Sequence, residues 1–143
     1  MKFKDLISII FGGLGSILTS LWGEITPQMT TLFILIACDF ITGFIVAAIF
    51  KESPKTDSGR LSSREMLKGL FRKAGLLVII IISYQLDKTL NIDYVKYFTC
   101  LALILEEIIS LIENLGYMNI PIPSIISNAI ELLNQKVKEG VKK

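Results

Sequence analysis

From Ile25 to Phe50 the chain runs for 26 residues with one charged side chain, Asp39. A helix crosses a hydrocarbon core of about 30 Å with about 20 mainly apolar residues. The stretch from Pro27 to Phe50 reaches about 36 Å at 1.5 Å per residue. A second run, Leu6 to Gly23, carries no charge over 18 residues. Such runs are membrane-span candidates, and composition agrees. Hydrophobic residues make up 52% of the 143, charged residues 20%, and mean hydropathy is +0.60. This disfavours an ordinary soluble enzyme and excludes a disordered, nucleic-acid-binding or disulfide-rich secreted chain. The histidine count is 0, which rules out histidine triads, histidine proton relays and histidine-ligated metals. Cys38 and Cys100 sit inside apolar runs without metal-site spacing and read as small buried residues.

The expected architecture is an all-α integral membrane protein, with three to four transmembrane helices and a C-terminal amphipathic helix. It forms a single membrane domain over 1–143, with helices at about 3–22, 27–50, 63–90, 94–115 and 124–139. Lys2 and Lys4 precede the first run, but Ser20-Leu21-Trp22-Gly23 offers no good cleavage site, so the segment is expected to be retained. On it Ser8, Gly12, Gly15, Ser16, Thr19 and Ser20 share one side at 100° per residue. Gly12, Ser16 and Ser20 form a small-residue ladder that lets another backbone approach closely. A packed span, a surface-lying helix and a face turned to water in an assembly all fit this pattern. Thr26 and Pro27 form a start signal for the second helix. Within it Asp39, Gly43 and Ala47 repeat every four residues beside Thr42. A carboxylate at mid-membrane costs several kcal/mol unless protonated, paired or hydrated. Asp39 therefore faces protein, as an acid bonded to a neighbouring helix, or it faces a water-filled path.

Ser62 and Glu65 have capping-box spacing for a third helix. Met66, Leu67, Leu70, Phe71 and Ala74 form an apolar stripe, beside the basic residues Arg64, Lys68, Arg72 and Lys73, which suit an anionic membrane surface. The uncharged core, Ala74 to Leu86, reaches across only when lengthened to about Leu90 with flanking charges snorkelling. In the fourth segment Glu106, Glu107, Ser110, Glu113 and Asn114 occupy an arc of about 120°, opposite Ile108, Ile109, Leu111, Ile112 and Leu115. Such a helix needs water or polar partners on one side; alternatively it ends near Leu105 and its glutamates lie among headgroups. Pro121 and Pro123 break the chain. Ile125, Ile126, Ala129, Ile130, Leu133 and Val137 then form the stripe of a last helix, read as interfacial.

Net charge is only +2, but the basic residues cluster. Lys51 to Lys73 holds seven basic and three acidic residues, a net of +4, and the tail Lys136, Lys138, Glu139, Lys142 and Lys143 adds +3. The positive-inside bias makes the 51–73 loop and both termini cytoplasmic. Four spans satisfy this, or three if the first segment lies flat. No hydroxyl, base and oxyanion-hole arrangement is visible, so an enzyme is not expected. No cofactor, metal or nucleic-acid partner is implied. Two other classes stay open: an ion channel or proton-coupled transporter subunit using Asp39 and Glu106 as a relay, and an inert membrane scaffold.

Asp39-Phe40-Ile41-Thr42-Gly43, Leu61-Ser62-Ser63, Lys68-Gly69 and Arg72-Lys73 appear in that order, followed by Glu106, Ser110, Glu113-Asn114, Gly116 and Pro121-Ile122-Pro123. In order and spacing these resemble the toxin-secretion/phage-lysis holins of Gram-positive bacteria and their phages, over roughly Ile25 to Ile126. Tyr117-Met118-Asn119 is slightly longer than the family pattern. The resemblance implies a protein of the bacterial cytoplasmic membrane that accumulates harmlessly, self-associates into lesions, and releases a cell-wall hydrolase or a protein toxin. On that footing Asp39 and Glu106 are expected to hold the helices together before assembly. Glu107, Ser110, Glu113 and Asn114 are expected to meet water afterwards.

Overall fold

The computed structural model describes residues 2–142; Lys143 of the basic tail lies outside the described residues. The described residues form helices without strands: α1 (Phe3–Trp22), α2 (Pro27–Ile45), α3 (Ser63–Leu90), α4 (Val95–Tyr117) and α5 (Ser124–Val141). The α2 helix runs on into a π-helical turn, Val46–Phe50, and stops at Lys51, whose φ of 57° is left-handed.

Local chemistry explains most boundaries. Thr26 Oγ1 accepts the Met29 N–H at 3.3 Å, and Pro27 occupies the first turn of α2 without wasting a donor. Helix α4 is capped from another element: the Asp87 carboxylate on α3 accepts the N–H groups of Val95 and Lys96 at 2.9 and 2.8 Å. The expected capping box at Ser62 does not form. Glu65 instead accepts from Lys68 Nζ at 2.7 Å, because an ammonium is a stronger partner than a neutral N–H. That hydrogen bond holds the Glu65 carboxyl below its ordinary value.

Helices α2, α3 and α4 pack through stripes with a step of three or four residues. Met29, Leu32 and Asp39 are buried on α2; Ile80, Ser83 and Asp87 on α3; Lys96, Cys100, Leu103 and Glu107 on α4. Their apolar members form one core. Helices α2 and α4 run parallel, with α3 antiparallel to both. Thr26 and Gln28 border the same cavity as Lys96 and Tyr97 at one end, and Asp39 meets Asn114 further along. Two stretches are long and apolar enough to cross a membrane, Phe3–Trp22 and Pro27–Phe50.

The outer helices differ sharply. On α1 every residue from Phe3 to Leu21 is exposed. Its ties to the body are concentrated in the last turn: Trp22 Nε1 donates to the Leu77 carbonyl at 3.1 Å, and Gln85 Nε2 to those of Ser20 and Leu21 at 3.2 and 3.1 Å. Gly23 follows with φ 72°, and a Cβ there would sit 2.5 Å from the Tyr84 ring, so only glycine fits. In contrast, α5 folds back along α4. A Cβ on Gly140 would lie 2.2 Å from the ring of Phe98, in the first turn of α4, and Leu133 and Val137 pack against the core. The sequence reading laid this helix flat on the membrane surface. Instead Ile130, Leu133, Val137 and Gly140 share a side that gains dispersion contacts on α4, while Ile125 and Ile126 stay exposed.

Candidate functional site

The charged seam of the bundle lies where α2, α3 and α4 meet. Asp39 and Glu107 are each 3% exposed, far too buried to stand as unpaired anions. Lys73 of α3 answers both: its Nζ is 2.8 Å from Asp39 Oδ2 and donates to both Glu107 oxygens, at 2.6 Å to Oε1 and closer still to Oε2. Asn114, two turns beyond Glu107, donates from Nδ2 to Asp39 Oδ1 and Thr42 Oγ1, each at 3.0 Å. The Thr42 hydroxyl donates in turn to the Cys38 carbonyl at 2.9 Å. Two carboxylates, one ammonium, an amide and a hydroxyl thus satisfy each other. Among the described residues no buried side-chain N or O atom lacks a partner. Gly43 borders the cluster, and a Cβ there would make ordinary van der Waals contact with Asn114 Nδ2 at 3.7 Å. Beside the cluster lies a cavity of about 60 Å³ walled in part by Asp39, Gly43, Ser53, Gly69 and Lys73. Its wall mixes apolar side chains with the polar groups of Asp39, Ser53 and Lys73, and it is roomy enough for water.

The opposite end is built differently. Lys96 is 9% exposed and its Nζ donates to the carbonyls of Trp22 and Glu24, at 2.5 and 2.8 Å. It also sits 5.2 Å from the centre of the Tyr84 ring. Together with Gln85 and the Trp22 indole it fastens the end of α1.

The structure divides the residues singled out from sequence. Asp39, Gly43, Glu107 and Asn114 come together. Glu106 and Glu113 are exposed, and Ser110 lies between the two sets, half-buried. The roles of the two glutamates are therefore corrected: Glu106, expected with Asp39 to hold the helices together, is exposed; Glu107, expected to meet water, is the buried carboxylate that shares Lys73 with Asp39. The reason is geometric: neighbouring residues point 100° apart, and Glu107 continues the buried stripe of Cys100, Leu103 and Ile104. Lys73 is corrected as well. Arg64, Lys68 and Arg72 are exposed, as surface cations should be, but Lys73 turns inward. Gly12, Gly15, Ser16 and Ser20 lie exposed on α1, and nothing lies within 4 Å of a Cβ placed on Gly12 or Gly15. Lys96 and Gln85 escaped the sequence reading because their partners are backbone carbonyls more than sixty residues away.

Exposed apolar helices around a fully paired polar seam define a helical membrane protein. Within that class the chain belongs to the bacteriophage holin family, whose pattern matches residues 16–135. Similar proteins include an uncharacterized protein of Clostridium perfringens (strain 13 / Type A), 30% identical over 91% of this chain and 90% of its own. An uncharacterized protein of Listeria monocytogenes is 28% identical over 92% and 89%. A "Probable holin" of Bacillus phage phi105 is 30% identical over 79% of this chain and 78% of its own. No solved structure matches the chain.

Proposed function

We propose that the protein acts as a holin. Copies gather in the bacterial cytoplasmic membrane and assemble into lesions through which a cell-wall hydrolase, or a protein toxin, leaves the cell. The observation that carries this reading is α1: an apolar helix, exposed from Phe3 to Leu21, whose small residues Gly12 and Ser16 are exposed, with nothing within 4 Å of a Cβ placed on Gly12, and whose hydrogen bonds to the body begin at Ser20. A bare small-residue face in lipid fits a second copy. Family membership and the phage relative support the role.

The arrangement in the membrane belongs to the same proposal. Because α4 lies alongside α2, and Lys73 brings α3 to the same depth, a bilayer crossed by α2 is crossed by all three. The exposed Arg64, Lys68 and Arg72, with Phe71 73% exposed among them, suit the cytoplasmic headgroups. The positive-inside bias then puts the N-terminus, the basic loop and, before assembly, the C-terminal tail in the cytoplasm. In the assembly Glu106, Ser110 and Glu113 face water, while Asp39, Lys73, Glu107 and Asn114 keep each subunit's helices together.

Induced expression tests the role. A holin gives delayed, abrupt depolarisation with release of a folded reporter protein, preceded by growth of cross-linked complexes. Graded ion flux without protein passage would instead assign a channel or transporter. A chain that stays monomeric in vesicles at every density and leaves them sealed would overturn the proposal.

A further inference from the structure

We infer that α5 forms part of the wall of the water-filled path, seated on α4 in the lesion and away from it while the membrane is sealed. This rests on the lesion-forming role proposed above and adds an element that the charged stripe of α4 did not include.

Three observations lead there. First, α5 runs the length of α4 in the opposite direction: it starts just after the Pro121–Pro123 break that follows α4, and its Gly140 presses on Phe98 in the first turn of α4. Its 18 residues rise about 27 Å, close to the thickness of a hydrocarbon core. Second, one side seals and the other does not. Ile130, Leu133, Val137 and Gly140 turn toward the bundle, whereas Ser127, Asn128, Glu131, Gln135 and Lys138 are exposed. Third, α4 is fixed at the depth of α2 by Asn114 and Asp39. A helix lying along α4 therefore occupies that depth too.

Acyl chains cannot solvate a row of amides and charges of both signs. The seat on α4 and a sealed bilayer therefore exclude each other. Before assembly α5 rests at the cytoplasmic surface, where its lysines meet anionic headgroups. When copies assemble and admit water, α5 folds up onto α4, the apolar side closing on the subunit and the polar side turning to the lumen.

The pair Phe98 and Gly140 gives a direct test. In a C38A/C100A background confirmed to form lesions, the F98C/G140C chain is reconstituted in dye-loaded vesicles and sampled through the onset of leakage under mild oxidation. Intramolecular disulfide, read as a reducible shift in gel mobility, is expected to rise several-fold as dye escapes and to stay at background in each single-cysteine control. A fluorophore on L132C supplies a second reading that needs no cross-link. Quenching by nitroxides placed along the acyl chains should move from headgroup depth to mid-bilayer depth as leakage begins. If vesicles leak while the disulfide stays at background and the fluorophore stays at headgroup depth, the inference is overturned and the lesion-forming role stands. If no vesicle leaks, the role itself has failed.

Discussion

The two ends of the bundle solve one problem, a buried lysine, in opposite ways. Lys73 is neutralised by side chains on two other helices, Asp39 and Glu107, so each member depends on the others. Lys96 gives its Nζ hydrogen bonds to backbone carbonyls of the α1–α2 junction. Side-chain pairing is selective, because removing one member leaves another charge without a partner. Carbonyl pairing is permissive, because a lost donor strands only neutral acceptors. The first end therefore specifies which helices meet. The second fastens the α1–α2 junction largely through main-chain oxygens, with Trp22 and Gly23 as its side-chain requirements.

The difference predicts an order of mutational cost. Lys73→Met should be the most damaging, because it strands two carboxylates that are each 4% exposed at the side chain. Breaking a buried pair costs about 3–5 kcal/mol, readable as loss of the unfolding transition or of stable accumulation in mixed micelles. Lys96→Met removes hydrogen bonds to two carbonyls and should cost about 1–3 kcal/mol. Equal losses for the two variants in the same titration would erase the distinction drawn above. Asn114→Leu should cost about 1 kcal/mol, as interhelical hydrogen bonds in membranes do. Its coupling to Asp39→Asn in a double-mutant cycle should account for most of that. The smallest effect belongs to Glu65→Gln at the start of α3, which should lower the unfolding midpoint at neutral pH only slightly. Lys68 holds the Glu65 carboxyl below its ordinary value, so the pair acts above that ordinary value and fades as pH falls through the lowered one. Wild type and E65Q should therefore converge in acid, as a melting series across that range would show.

Much of the architecture is legible because it is local. Thr26-Pro27 and Pro121-Ile122-Pro123 mark breaks through their own covalent chemistry, and the charge-poor run to Phe50 marks a helix long and apolar enough to span a membrane. Asp39 announces that it needs a partner. The partner was hidden by adjacency: Arg72-Lys73 and Glu106-Glu107 are like-charged neighbours, and an arc of about 120° cannot say which member turns inward. The deciding signal was present but faint. Lys73 lies three and seven residues before Leu76 and Ile80, and Glu107 lies four and seven after Leu103 and Cys100, so each continues an inward stripe. The course of α5 was illegible for another reason. Its apolar stripe fits a membrane surface and a helix equally well, and contacts distant in sequence, Gly140 on Phe98 and Leu133 and Val137 on the core, separate them.

The joint that fastens α1 has one more implication. Lys96 and Gln85 grip oxygen atoms that every amino acid carries, so their hold does not depend on the side chains that the first helix displays ahead of Trp22. That helix can change its outer face without loosening the hinge. In such a molecule the clasp and the label are separate parts, and one can be rewritten while the other stays shut.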